Sequence, residues 1–265
     1  MGYLSAETLD VTGGSGAFTV PSGCTFLLVK LAVATGAGMP STVTLGGTGL
    51  TLIASLDNGD SLSAGVYSRT SPATGSLTLA HSNLSNYAKA TLEYYDGINS
   101  VRNSATAGGT YATSFSLGVT SVANDLCSDF IVIQENATAT TGGSQTLILS
   151  STFGTPGRMY AASRQTASGT TTTFSWTTNG AGQRQAHIAV ALVPTPITTF
   201  DIALRDNGAG TFDISLADAG GTTGQIKVWT GAAWVAKPVK VWTGAAWVTK
   251  PVKFWNGSAW VTTTY

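Results

Sequence analysis

No stretch of this chain carries apolar residues at the three-and-four spacing of a helix, and that absence narrows the fold more than any motif does. A period of two recurs instead. In TFLLVKLAVAT, Leu27, Val29, Leu31 and Val33 fall on one side and Lys30 among small residues on the other, the pattern of a half-buried strand. In YAKATLEYY the alternation turns Ala88, Ala90, Leu92 and Tyr94 inward and Lys89, Thr91 and Glu93 outward. VTLGGTGLTL reads as a hairpin around GGTG. LSAGVYSR, SLTLA, SFSLGVTSV, LCSDFIVIQE, QTLILS, RMYAASR, TTTFSW and HIAVALV continue the rhythm, separated by Gly, Ser and Asn clusters. Short strands at regular spacing with such turns predict an all-β sandwich of jelly-roll type.

Composition agrees. Only 10% of the 265 residues are charged, against roughly 25% in an average soluble domain. Glycine is abundant at 32 residues, and Thr, Ser and Ala crowd much of the rest. A weakly charged Ser/Thr surface suits a protein surrounded by copies of itself or by partners, because net charge normally keeps monomers apart. A homo-oligomer is therefore expected. Cys24 and Cys127 each sit at an apolar strand and read as two buried thiols rather than a disulfide framework. MGYLSAETLD has neither the basic start nor the apolar run of a signal peptide. No apolar run approaches the length of a membrane span. Synthesis in a reducing cytoplasm is the expectation.

The chain is expected to divide into four parts. Residues 1–16, ending in GGSG, read as an N-terminal arm, and 17–194 as the sandwich. VPTPI marks a Pro-punctuated boundary. FDIAL and FDISL flank RDNGAGT, so 195–224 reads as a hairpin connector ending in the Gly-rich joint ADAGGTTG. In 225–265 one thirteen-residue unit is written three times: KVWTGAAWVAKPV, KVWTGAAWVTKPV and KFWNGSAWVTTTY. The units begin at Lys227, Lys240 and Lys253 and carry Trp229 and Trp234, Trp242 and Trp247, Trp255 and Trp260. Asn256-Gly257 is a strong two-residue hairpin signal, and Thr-Gly stands in its place in the other copies. A turn at Thr230-Gly231 predicts Trp229 opposite Ala232 and Lys227 opposite Trp234, with the indoles as diagonal neighbours beside the lysine. One such hairpin is marginal in water, whereas three in series can share an apolar face. The six tryptophans then either form the module's own core or stand exposed as platforms for sugar rings or neighbouring subunits. The nine Lys and Trp positions are the candidate contact residues.

Two resemblances add to this reading. The order TVPSGCTFLLVKLAV, VTLGGTGLTL, NDLCSDFIVI and HIAVALVP, over about 17–194, resembles a jelly-roll-like sandwich domain common in bacteriophage structural and bacterial surface proteins. The tandem KVWxGxAWV units over 226–265 resemble those on minor tail and other virion proteins of phages, notably phages of actinobacteria. What the resemblances imply is a virion location after assembly in the host cytoplasm, with other virion proteins as partners. No active-site residue transfers with them. The units also bear a faint likeness to Trp-rich choline-binding repeats of cell-wall proteins, whose aromatic cage residues are not matched.

Groups that could carry chemistry are sparse. His81 and His187 are the only histidines, and His187, out of phase with Ile188, Val190 and Leu192, is expected at the surface. There is no G-x-S-x-G elbow and no Cys/His cluster of zinc spacing. Asp57-Asn58-Gly59-Asp60 and Asp206-Asn207-Gly208 are fragments of a calcium-loop pattern and are better explained as turns. GGTG lacks the lysine and the following helix of a phosphate loop. Glu93 and Asp96 could pair for glycoside cleavage, but on one strand they point to opposite faces. The expectation is a non-enzymatic protein with no catalytic residue, metal or cofactor. Of the 13 basic residues, five (Lys227, Lys237, Lys240, Lys250 and Lys253) lie beyond Gln225, where no acid occurs. The rest of the chain holds eight basic against 13 acidic residues. The tail has no arginine, the preferred reader of phosphates and bases, so nucleic acid is not expected as a partner. The sequence thus favours a phage tail or tail-tip component contributing to host attachment, with a host-surface glycan as one partner. A head decoration or head-fibre protein docked on the capsid is the first alternative. A carbohydrate-binding or glycan-cleaving protein on a jelly-roll platform is the second.

Overall fold

The computed structural model describes residues 2–34, 38–59, 62–82, 87–134, 138–154, 157–179, 183–195 and, in the repeats, 227–229, 234–236, 240–242, 245–249, 253–255 and 260–262. It falls into two compact units, Met1–Thr195 and Pro196–Tyr265. The connector 195–224 lies, beyond Thr195, outside the described residues. Among the described residues every regular element is a strand and every pairing is antiparallel.

The first unit contains one strand order twice. Strands β1 (Gly2–Asp10), β2 (Ser15–Val20), β3 (Phe26–Val33), β4 (Val43–Leu45), β5 (Thr48–Gly49), β6 (Thr51–Asp57), β7 (Ser63–Thr70), β8 (Gly75–His81) and β9 (Ala88–Asp96) make the first half. They form a five-stranded sheet β1-β9-β3-β7-β6 and a four-stranded sheet β2-β8-β4-β5. Strands β10 (Ile98–Ala112), β11 (Ser114–Thr120), β12 (Leu126–Ile133), β13 (Ala139–Thr141), β14 (Thr146–Phe153), β15 (Arg158–Thr166), β16 (Thr171–Thr178) and β17 (Gln183–Pro194) make the second. Their sheets, β10-β17-β12-β15-β14 and β11-β16-β13, repeat that order. Each half has the strand order of a jelly roll. The irregularities repeat as well. β1 shifts register between Tyr3 and Ser5 and β10 between Val101 and Asn103; β6 shifts between Leu52 and Ala54 and β14 between Leu147 and Leu149. Because bulges are specific local devices, two matched pairs mark a structural duplication.

The two five-stranded sheets pack on each other. Phe26, Leu28, Ala32 and Val66 from the first half share one apolar cluster with Phe130, Val132, Ala162, Ile188 and Val190 from the second. The opposite faces bury Leu27, Val29, Leu31 and Leu79 in one half, and Ile131, Met159, Phe115 and Trp176 in the other. The body is thus four layers deep, the five-stranded sheets being the inner two. A strand buried on both faces reads as a continuous apolar run, and FLLVKLAV and LCSDFIVI are that pattern.

This arrangement corrects four expectations. Residues 2–10 are no arm: they pair with β9 as an edge strand. Residues 17–194 hold not one sandwich but most of two. β3 is buried throughout rather than on one side, Lys30 included. Thr91 and Glu93 are fully buried rather than outward, and His187 is in a core rather than at the surface. One cause covers the last three. Alternation separates two faces, and the second face here meets another sheet instead of water.

The GGTG hairpin is present as expected. Leu45 pairs with Thr48 across Gly46-Gly47, whose φ values of 54° and 80° suit the I′ turn that glycine favours. Asn58 acts as a turn residue and a tether, its amide donating to Gly109 O at 2.9 Å and Gln185 O at 2.7 Å in the second half. Cys24 and Cys127 are buried free thiols, and burial pushes the Cys127 thiol up to about 11. Native protein at neutral pH should therefore release no rapid thiolate signal with an aromatic disulfide reagent, and two equivalents after unfolding. At the edge, Lys89 bonds Asp10 and holds that carboxyl below its usual range. That contribution is present above the ordinary carboxylate pKa and is lost as pH falls through the lowered one. Lys89→Met should return the Asp10 titration to the ordinary range, read by carboxyl-carbon NMR.

Candidate functional site

The nine candidate residues lie on three two-stranded ribbons. β18 (Lys227–Trp229) pairs with β19 (Trp234–Ala236), β20 (Lys240–Trp242) with β21 (Trp247–Thr249), and β22 (Lys253–Trp255) with β23 (Trp260–Thr262). The register differs from the expected one. Trp229 is the direct partner of Trp234, Trp242 of Trp247 and Trp255 of Trp260, while Lys227 faces Ala236. Four residues, not two, separate the paired tryptophans. The four-residue spacing brings the aromatic positions directly opposite each other, the closest cross-strand relation, and does so in the Asn-Gly copy as in the two Thr-Gly copies.

Trp247 is the one candidate whose side-chain exposure is described. It is 65% exposed, and its neighbour Val248 is 39% exposed. Consecutive strand residues project to opposite faces, so neither face of β21 closes over its side chain there. Trp247 is thus exposed to solvent over most of its surface. The surroundings of the other eight side chains lie outside the described residues.

Two polar clusters in the first unit were not anticipated. In the first, between the inner sheets, Lys30 Nζ bonds Glu93 Oε1 and donates to Ser128 Oγ at 2.6 Å and to Asp129 O at 2.8 Å. Glu93 Oε2 accepts from Tyr95 Oη at 2.7 Å and lies 2.9 Å from Ser128 Oγ. The Lys30 and Glu93 side chains are both 0% exposed. Burial beside Glu93 raises the Tyr95 phenol well above its ordinary value, so it stays a donor. The second cluster lies on the other face of β12. Asp129 Oδ1 accepts from Ser163 N at 3.0 Å and Ser163 Oγ at 2.6 Å. Its Oδ2 accepts from Trp176 Nε1 at 2.6 Å and His187 Nε2 at 2.8 Å. The carboxylate can only accept, so the proton of that last bond sits on Nε2. In a nucleophile triad the imidazole stands between serine and carboxylate. Here the carboxylate stands between serine and imidazole, inside a closed core, and the arrangement positions side chains rather than activating a hydroxyl.

Glu93 is consequently engaged with Lys30 and walled off from any glycan. Among the described residues no group of three or more His, Cys, Asp or Glu side chains is placed to hold a metal ion. No helix among them is long and apolar enough to cross a membrane. No family model matches the chain, and no curated protein and no solved structure matches it.

Proposed function

We propose that this chain is a non-enzymatic structural protein of a phage virion, placed at the tail or tail tip, where its C-terminal ribbons contribute to attachment to the host envelope. The observation that carries the reading is the thrice-written Trp ribbon with Trp247 exposed, in a chain of low charge. The resemblance of KVWxGxAWV to virion repeats points the same way. Three weak platforms on each chain, multiplied by the copies on a particle, attach through effective concentration rather than through one tight site. The doubly sandwiched body supplies a firm mount, since its inner sheets are joined by apolar packing and by the Lys30 and Asn58 bonds.

The test is a phage carrying Trp242→Ala with Trp247→Ala. Adsorption to host cells should slow by about tenfold while particle yield stays level. Unchanged adsorption would remove the contact role. Counting copies per particle checks the location: a few at the tail fit the proposal, and tens to hundreds over the head would move the protein to capsid decoration.

A further inference from the structure

We propose that the ligand of the ribbons is an anionic glycan, with each ribbon stacking one sugar ring on an indole and pairing that sugar's carboxylate or phosphate with its leading lysine. This rests on the contact role argued above and names the chemistry of what is contacted. Three observations converge on it. First, Trp247 offers an exposed indole at a directly paired Trp position. A flat π face of that kind packs against the C–H face of a pyranose or against another ring. Second, the backbone places a lysine at a fixed offset from each Trp pair. Lys240 stands two residues before Trp242 on one strand, and Trp242 is the direct partner of Trp247. Alternation puts these three positions on one face of the ribbon, with about 7 Å between the lysine and the first Trp position. That is the span of one sugar ring and its charged substituent. Third, the charge is one-sided: the five lysines beyond Gln225 meet no acid in the same segment. A neutral glycan would leave that charge unanswered.

Single-stranded nucleic acid is the other polyanion that stacks on aromatic side chains. It fits less well. The segment from Gln225 on has no arginine, and its lysines recur once or twice per unit rather than as a continuous track. A glycan with one charge per sugar matches a module with one leading lysine per pair of tryptophans.

The experiment uses the purified full chain and three probes of similar length: hexagalacturonate, maltohexaose and a single-stranded thymidine hexanucleotide. Binding is followed by calorimetry and by tryptophan fluorescence. Hexagalacturonate should bind and should weaken by about tenfold between roughly 0.05 and 0.5 M salt, as screening shortens the reach of the lysines. Maltohexaose should bind at least about tenfold more weakly because it lacks the charge, and the hexanucleotide at least about tenfold more weakly because the segment has no arginine and no continuous lysine track for its backbone. Trp247→Ala should cost about fivefold through loss of one of three platforms. Lys240→Gln with Lys253→Gln should cost as much while leaving the far-ultraviolet spectrum unchanged, which guards against a ribbon that has merely unfolded. The inference is overturned if hexagalacturonate does not bind, if maltohexaose or the hexanucleotide binds as tightly, or if the lysine variant is indifferent. Should the tryptophan variant abolish phage adsorption while hexagalacturonate fails to bind, the contact role stands and the anionic ligand falls. Should hexagalacturonate bind as described while adsorption is unmoved, the ligand chemistry stands and the attachment role falls.

Discussion

Lys30→Met will destabilise the 1–195 unit by about 3–5 kcal/mol, the cost of leaving one partner of a buried ion pair alone. The side chain is 0% exposed, so water cannot replace the lost ammonium at Glu93. Methionine fills a similar volume, and little of the effect comes from packing. The substitution removes three bonds at once, to Glu93, Ser128 and Asp129 O, the last two reaching from the first half into the second. For a unit of this size the melting temperature should fall by roughly 10 °C. The companion variant Lys30→Met with Glu93→Gln separates charge from docking. It removes both charges and keeps an amide oxygen as acceptor for Tyr95 Oη and Ser128 Oγ. Neutralising both members of such a pair is far milder than removing one, so more than half of the lost stability should return. Urea unfolding followed by far-ultraviolet circular dichroism reads both. Equal losses in the single and double variants would show that the ion pair is not the source, and that the lysine matters only as a bridge between halves.

The same residue shows where the sequence was legible and where it was not. Strand positions, the Gly46-Gly47 turn, the buried thiols and the all-β class follow from local pattern, because alternation and turn chemistry are local properties. The second interface does not. Leu27, Val29 and Leu31 announce one core, and a reader then assigns the opposite side to solvent; Lys30, Thr91 and Glu93 confirm that assignment only because charge and hydroxyl are taken for water-facing. Their burial depends on a partner sheet whose Ser128 lies 98 residues from Lys30 and 35 from Glu93, which no window of β3 or β9 contains. A signal for it existed. TLIAS at Thr51–Ser55 and TLILS at Thr146–Ser150 occupy β6 and β14, share four of five residues, and follow one exposure pattern through the strand. Outside that segment the halves have diverged too far for the duplication to show by eye. The repeats illustrate the reverse case. Their existence and hairpin pairing were plain from the spacing, but the register turned on loop length, and Asn256-Gly257, a strong two-residue signal, did not set it, since Trp255 pairs with Trp260 as its counterparts pair in the other copies.

Asp129→Ala should cost as much as the lysine substitution, for a different reason. The aspartate stands on the face of β12 opposite Ser128, and its two oxygens take four hydrogen bonds. Alanine leaves Trp176 Nε1, His187 Nε2 and Ser163 N as buried donors without an acceptor. At about 1–3 kcal/mol for each group left unsatisfied, less than additively, the loss comes to roughly 4 kcal/mol. Asparagine discriminates between lost volume and lost acceptors. It keeps the shape but turns one acceptor into an amide donor. With the amide turned toward Ser163, the Ser163 hydroxyl can rotate to accept from it and the retained oxygen still accepts from Trp176 Nε1 and His187 Nε2, whereas the opposite turn would orphan Trp176 Nε1 and drive the His187 proton onto Nδ1, which has no partner. Trp176 Nε1 and Ser163 N cannot adapt, being donors only. One orphaned donor then remains, and Asp129→Asn should cost about 2 kcal/mol. Trp176 is the only tryptophan outside the repeats, so near-ultraviolet dichroism of a chain ending at Thr195, a compact unit by itself, reports this site alone. The alanine variant should lose much of that signal and the asparagine variant should keep it, with nitrogen-15 NMR showing the His187 proton still on Nε2. If the asparagine variant costs nothing measurable while the alanine variant costs the full amount, the carboxylate is filling space rather than satisfying donors.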